Sequence, residues 1–140
     1  MRTVFLTFVC FCFLISCNSD DSVQNRNPNL LDVNFSITLS TIQTLDLQFP
    51  ANAIFVPQGG LRGVFVINTG SGIFAWEAAD PNVPLSECSR MTLDGIEALS
   101  NCEEGRRYNL ITGQSLEEVL PFPLLSYRVN QNGDVITVSN

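Results

Sequence analysis

The chain has 140 residues, with seven arginines and no lysine set against fourteen acidic residues, no histidine, and a net charge of −7. That balance argues against nucleic acid and against adhesion to anionic head groups. Without an imidazole, histidine acid–base catalysis, histidine-activated serine or cysteine nucleophiles and histidine metal sites are all excluded.

Arg2 precedes a short apolar run from Val4 to Ile15, VFLTFVCFCFLI. It is too short to span a bilayer, which takes ~20 apolar residues, and it fits the apolar region of a secretory signal. The run ends in Leu14-Ile15-Ser16-Cys17, which resembles the bacterial lipobox. That resemblance implies cleavage before Cys17 and acylation of that cysteine. It divides the chain into a signal peptide over 1–16, a lipidated tether over 17–29 and a domain over 30–140. Two or three acyl chains, at roughly 0.8 kcal/mol per buried methylene, hold a protein firmly at a membrane. The alternative is an ordinary signal with a cysteine near the cut by chance. Asn18 in place of an aspartate implies the outer membrane. Ser19-Asp20-Asp21 resembles the acidic export tag of Bacteroidetes lipoproteins, which implies the cell surface, with the periplasmic face as the alternative. The same polar residues also read as a solvated tether.

Of five cysteines, Cys10 and Cys12 fall in the expected signal and Cys17 is the expected acylation site, which leaves Cys88 and Cys102. In an exported protein two remaining cysteines most often pair. Closing a loop of that length adds ~3 kcal/mol in the chain-entropy model.

Beyond the tether the hydrophobic period is two. Val33, Phe35, Ile37 and Leu39 alternate with polar residues, predicting a half-buried strand whose edge is open to pairing. Leu45, Leu47 and Phe49 alternate in the same way up to Pro50, predicting a second strand. Ile54-Phe55-Val56 is a short third. Gly59-Gly60 turns the chain into Leu61–Ile67, and Asn68 to Gly72 forms a hairpin loop into Ile73–Ala78. On that strand Trp76 and Phe74 share one face and Ile73 and Ala75 do not, so one of the two sets is core and an exposed Trp76 would suit a partner. Residues 79–90 read as loop. Met91–Leu93 and Ile96–Leu99 form a hairpin across Asp94-Gly95. A loop over 100–106 leads to a strand over 107–111, and 115–120 fits a single helical turn. Leu125–Asn130 and Asp134–Ser139 flank Gln131-Asn132-Gly133, the clearest hairpin in the chain. The fold class is all-β, a small antiparallel sandwich or barrel of short strands long enough for a modest core.

The stretch from Leu61 to Val138 resembles the Rieske iron–sulfur domain. The likeness rests on the order of its motifs. A strand pair leads to a proline-containing loop, a short hairpin and a cysteine-led second loop. Then come Tyr108-Asn109-Leu110-Ile111-Thr112-Gly113, the segment Pro121-Phe122-Pro123-Leu124-Leu125, Tyr127-Arg128-Val129 and a last hairpin ending Val135-Ile136-Thr137-Val138. It is similar, too, to a group of Bacteroidetes lipoproteins with Rieske-like domains. A Rieske cluster takes two cysteines on one iron and two histidines on the other, from Cys-x-His and Cys-x-x-His. The resemblance places Asp80 and Asn82 at the first pair, and Cys102 and Gly105 at the second. Three of the four positions have lost their ligand chemistry, so the resemblance implies the fold and not the cofactor. It also implies that a Cys88–Cys102 bond would join the two former cluster loops.

Sharper chemistry at these loops has weak support. Asp80, Glu87, Glu103 and Glu104 supply carboxylates for a hard cation such as calcium but match no calcium loop. Two cysteines are too few for zinc. Arg106 and Arg107 stand near enough to Cys102 in sequence to favour a thiolate, although surface charges offsetting Glu103 and Glu104 explain them as well. No catalytic constellation, cofactor site or metal site is expected. The expected role is that of a membrane-anchored lipoprotein with a cluster-less domain that binds an envelope protein or a small molecule, or is structural. The alternative is a redox protein, either a carrier with substitute cluster ligands or a dithiol acting through Cys88 and Cys102.

Overall fold

A computed structural model of the chain describes residues 27–140. The expected signal peptide, Cys17 and most of the expected tether lie outside the described residues.

Ten elements follow in order: β1 (Ser36–Thr38), α1 (Thr41–Asp46), β2 (Ala53–Val56), β3 (Val64–Asn68), β4 (Ile73–Glu77), β5 (Thr92–Asp94), β6 (Glu97–Leu99), β7 (Arg107–Asn109), β8 (Ser126–Asn132) and β9 (Val135–Ser139). Every strand pairing is antiparallel. The larger sheet has the order β1-β9-β8-β4-β3-β2, and β5-β6-β7 form a second, three-stranded sheet. All three short strands of the small sheet lie between β4 and β8 in sequence, so it is an insertion between two strands that pair with each other.

β3 shows why the sheets stack as they do. Its residues are apolar on both faces (VFVIN), the mark of a strand covered on both sides. Val64 and Val66 enter one core with Leu39, Leu47, Ala75, Tyr127, Ile136 and Val138. Phe65 and Ile67 enter the other with Trp76, Met91, Ala98, Tyr108, Leu110 and Leu124, against the small sheet. The large sheet curls so that β1 reaches the loop after β2. A Cβ added at Gly59, which sits at φ +78°, would lie 2.7 Å from the Phe35 ring and 3.3 Å from Ile37.

Several expectations need correction. The alternation of Leu45, Leu47 and Phe49 is not a strand. Ser40 caps α1, its hydroxyl accepting from the Gln43 amide at 3.4 Å while the Gln43 side chain accepts from the Ser40 N–H at 2.9 Å. This capping box satisfies two of the helix's orphan donors and starts a helix where the apolar spacing suggests a strand. Only Leu47 is buried; Leu45 and Phe49 are exposed. No helical turn forms over 115–120. The strand expected over 33–39 is reduced to three residues, and the one expected from Leu61 begins at Val64, because residues 61–63 turn around a buried carboxylate described below. Trp76 is not an exposed anchor: its indole N–H donates to the Leu110 carbonyl at 2.7 Å, and the ring packs over Gly113. Phe74, on the same strand, stays 42% exposed.

Candidate functional site

The end of β4 turns into the first loop around Glu77, which is fully buried. Its carboxylate accepts from the backbone N–H of Leu61 (2.7 Å), Arg62 (2.9 Å) and Ala79 (3.0 Å) and from the Tyr127 hydroxyl (2.5 Å). Four donors on one carboxylate compensate its removal from water.

Three residues further on, Asp80 repeats the device and reaches across both loops. It too is fully buried. One oxygen accepts from the Asn82 N–H (2.9 Å) and the Tyr108 hydroxyl (2.7 Å). The other accepts from the Ser100 hydroxyl (2.6 Å) and pairs with the Arg106 guanidinium at 3.4 Å. Ser100 in turn accepts from the N–H groups of Cys102 and Glu103, at 3.3 and 3.2 Å, which shapes the start of the second loop. Asn82 donates to the Tyr108 hydroxyl (2.9 Å) and exchanges two bonds with the Phe122 backbone. A disulfide joins Cys88 to Cys102, with their Cα atoms 5.0 Å apart. The first loop, the second loop, β7 and the proline segment therefore meet at one polar centre.

Burial raises the pKa of Tyr108, and its bond to Asp80 adds to the shift; burial raises that of Tyr127, with the Glu77 charge adding to it. These are the chain's two tyrosines, and the hydroxyl of each donates a hydrogen bond to a buried carboxylate.

The resemblance placed Asp80, Asn82, Cys102 and Gly105 at the ligand positions, and the structure puts all four in or beside these two loops. The donor set does not fit a Rieske centre. Both Asp80 oxygens and the Asn82 amide are occupied by protein partners, Cys102 is bonded to Cys88, and Gly105 has no donor side chain. Glu87, Glu103 and Glu104 are exposed, whereas Asp80 is buried. Among the described residues no group of three or more histidine, cysteine, aspartate or glutamate side chains is placed to hold a metal ion. Nor do the two arginines offset Glu103 and Glu104. Arg106 turns inward to Asp80, and Arg107 bonds Glu97 (3.1 Å) and Glu117 (2.6 Å) at the surface. Glu77 and Ser100 were not singled out by sequence reasoning, and Tyr108 and Tyr127 entered it only as parts of the motifs that carry the resemblance. A glutamate ending a strand of five otherwise apolar or aromatic residues (IFAW, then Glu77) was the one available hint.

The site is thus a disulfide-clasped pair of loops borne on and beside a small three-stranded sheet inserted into a larger antiparallel one. Among solved structures the chain is similar to a chain of the complex of reduced oxygenase and oxidised ferredoxin in carbazole 1,9a-dioxygenase, at 24% identity and TM-score 0.49, covering 74% of this chain and 93% of that one. It is also similar to the ferredoxin of carbazole 1,9a-dioxygenase from Nocardioides aromaticivorans, at 18% identity and TM-score 0.46, covering 74% and 95%. A third likeness is to a protein described as the small subunit of an NADPH nitrite reductase, at 23% identity and TM-score 0.45, covering 74% and 97%. No family model matches the chain, and no curated protein does.

Proposed function

We propose that this chain is a lipoprotein of the outer membrane, anchored through Cys17 and facing the cell surface, whose Rieske-like domain works without a cluster as a non-catalytic binding or structural module. The observation that carries this reading is Asp80. Where a cluster cysteine is expected stands a buried carboxylate with four protein partners, and that network, rather than iron, holds the two loops together. The partner is an envelope protein or a small molecule. Nucleic acid is disfavoured by the net charge of −7.

The test is the iron and acid-labile sulfide content of the full-length protein, with its visible absorption, as isolated and after anaerobic reconstitution. Folded, colourless protein free of both supports the proposal. Stoichiometric iron and sulfide overturns it. The second reading, a dithiol carrier, draws on the exposure of Cys88. A reduction potential below about −300 mV would mark the disulfide as structural, and a higher one would favour the carrier.

A further inference from the structure

The first described residues are bound to the former cluster pole of the domain. The side-chain amides of Asn27 and Asn29 both donate to the Pro81 carbonyl, at 2.8 and 3.0 Å, and the Asn29 N–H donates to the Asn27 side chain at 2.9 Å. Leu30 follows at 4% exposure. These residues were expected to belong to a free tether as far as residue 29, yet the root of the tether is pinned one residue from Asp80. The register of the strands defines what lies opposite. Val64 pairs with Glu77 at this pole, and Asn68 pairs with Ile73 at the other. The far pole also carries the β8–β9 turn and α1, which meet the 68–72 loop around a groove of about 450 Å³.

We infer that the former cluster pole faces the membrane, and that the far pole, with α1 and the groove, points away from it. The inference rests on the proposed acylation of Cys17. Asn27 lies ten positions beyond Cys17. Ten steps of chain reach at most roughly 33–36 Å. β8 alone is seven residues long, or ~24 Å at 3.4 Å per residue, so the two poles stand at clearly different heights. Glu87, Glu103, Glu104, Glu117 and Glu118 lie on or beside the membrane-facing loops and keep that pole standing off anionic head groups.

The test uses the acylated full-length protein in vesicles of phosphatidylethanolamine and phosphatidylglycerol that carry a head-group energy-transfer acceptor. A donor dye is attached through V119C, beside the glutamates of the near pole, or through I42C on α1. Both parent side chains are well exposed, at 102% and 73%. Transfer from V119C should exceed that from I42C about twofold or more for poles ~24 Å apart. Equal or reversed transfer in vesicle-bound protein overturns the orientation and leaves the anchor standing. Protein that never joins the vesicles overturns the anchor, and the orientation with it.

Discussion

Replacing Asp80 by asparagine changes almost no volume, so its effect isolates the charge at the centre of the two loops. On one side the asparagine oxygen still accepts from Asn82 and Tyr108. On the other, an NH₂ donor now faces the Ser100 hydroxyl and the Arg106 guanidinium. The Ser100 oxygen already accepts from the Cys102 and Glu103 N–H groups, and Arg106 has donors only, so neither can accept from it. The Arg106 side chain is 16% exposed, so the variant leaves a largely buried cation without its counter-ion. Breaking a buried pair from one side costs about 3–5 kcal/mol, and retention of the Asn82 and Tyr108 bonds puts D80N near 3 kcal/mol. For a domain of this size each kcal/mol is worth about 4 °C in Tm, so Tm should fall by roughly 12 °C. D80A, which loses all four bonds, should fall further. Denaturant titration of D80N, of R106Q and of the double variant closes the cycle, with an expected coupling above ~1 kcal/mol. A fall of less than about 4 °C in D80N, or additive single effects, would refute the role given to Asp80. So would a chelator that destabilises the wild type but not D80N, because Asp80 would then be serving a metal.

The tyrosines make an alkaline prediction. Both folded-state pKa values lie above the ordinary value of 10.0, so the unfolded chain releases these protons first. Stability is full below pH 10 and declines above it, by at most about 2.7 kcal/mol per pH unit for two groups. Phenolate absorbance should rise together with unfolding; a phenolate transition near pH 10 in protein that is still folded would contradict it. Reducing the Cys88–Cys102 bond, whose cysteines are 14 residues apart, should lower stability by about 3 kcal/mol without unfolding the domain, because Asp80 and Ser100 still join the loops. Circular dichroism after reduction checks this, and complete loss of structure would mean that the polar network alone cannot hold them.

The hairpins were legible in the sequence because their signals are local. Leu61–Ile67 with Ile73–Ala78, and Leu125–Asn130 with Asp134–Ser139, flank turns rich in glycine and asparagine, and the structure pairs β3 with β4 and β8 with β9 as antiparallel neighbours. The pairing of Cys88 with Cys102 was legible as well, by elimination among five cysteines. Segment 45–49 was misread because two periods fit three apolar residues. Ser40 and Gln43, spaced as a capping box, were the signal that would have decided for a helix. The polar centre was invisible for another reason. Asp80 meets Tyr108 across 28 positions and Glu77 meets Tyr127 across 50, and a charged residue in an acidic chain reads as surface until its partners are known. Sequence reasoning assigned Asp80 a lost ligand's place without foreseeing what it had gained.

The loops closed by Asp80, Ser100 and Arg106 also bear on how such a protein is made. Every group in that closure is encoded in the polypeptide, so the tip is complete once the chain has folded and met an oxidant. A cluster-bearing domain needs iron, sulfide and an assembly apparatus in the compartment where it matures, or must fold around its metal before export. A chain exported and free of a cluster, as proposed for this one, can cross a membrane unfolded and finish on the far side with a single thiol oxidation. Its abundance would then follow synthesis and export, and iron starvation would leave it untouched.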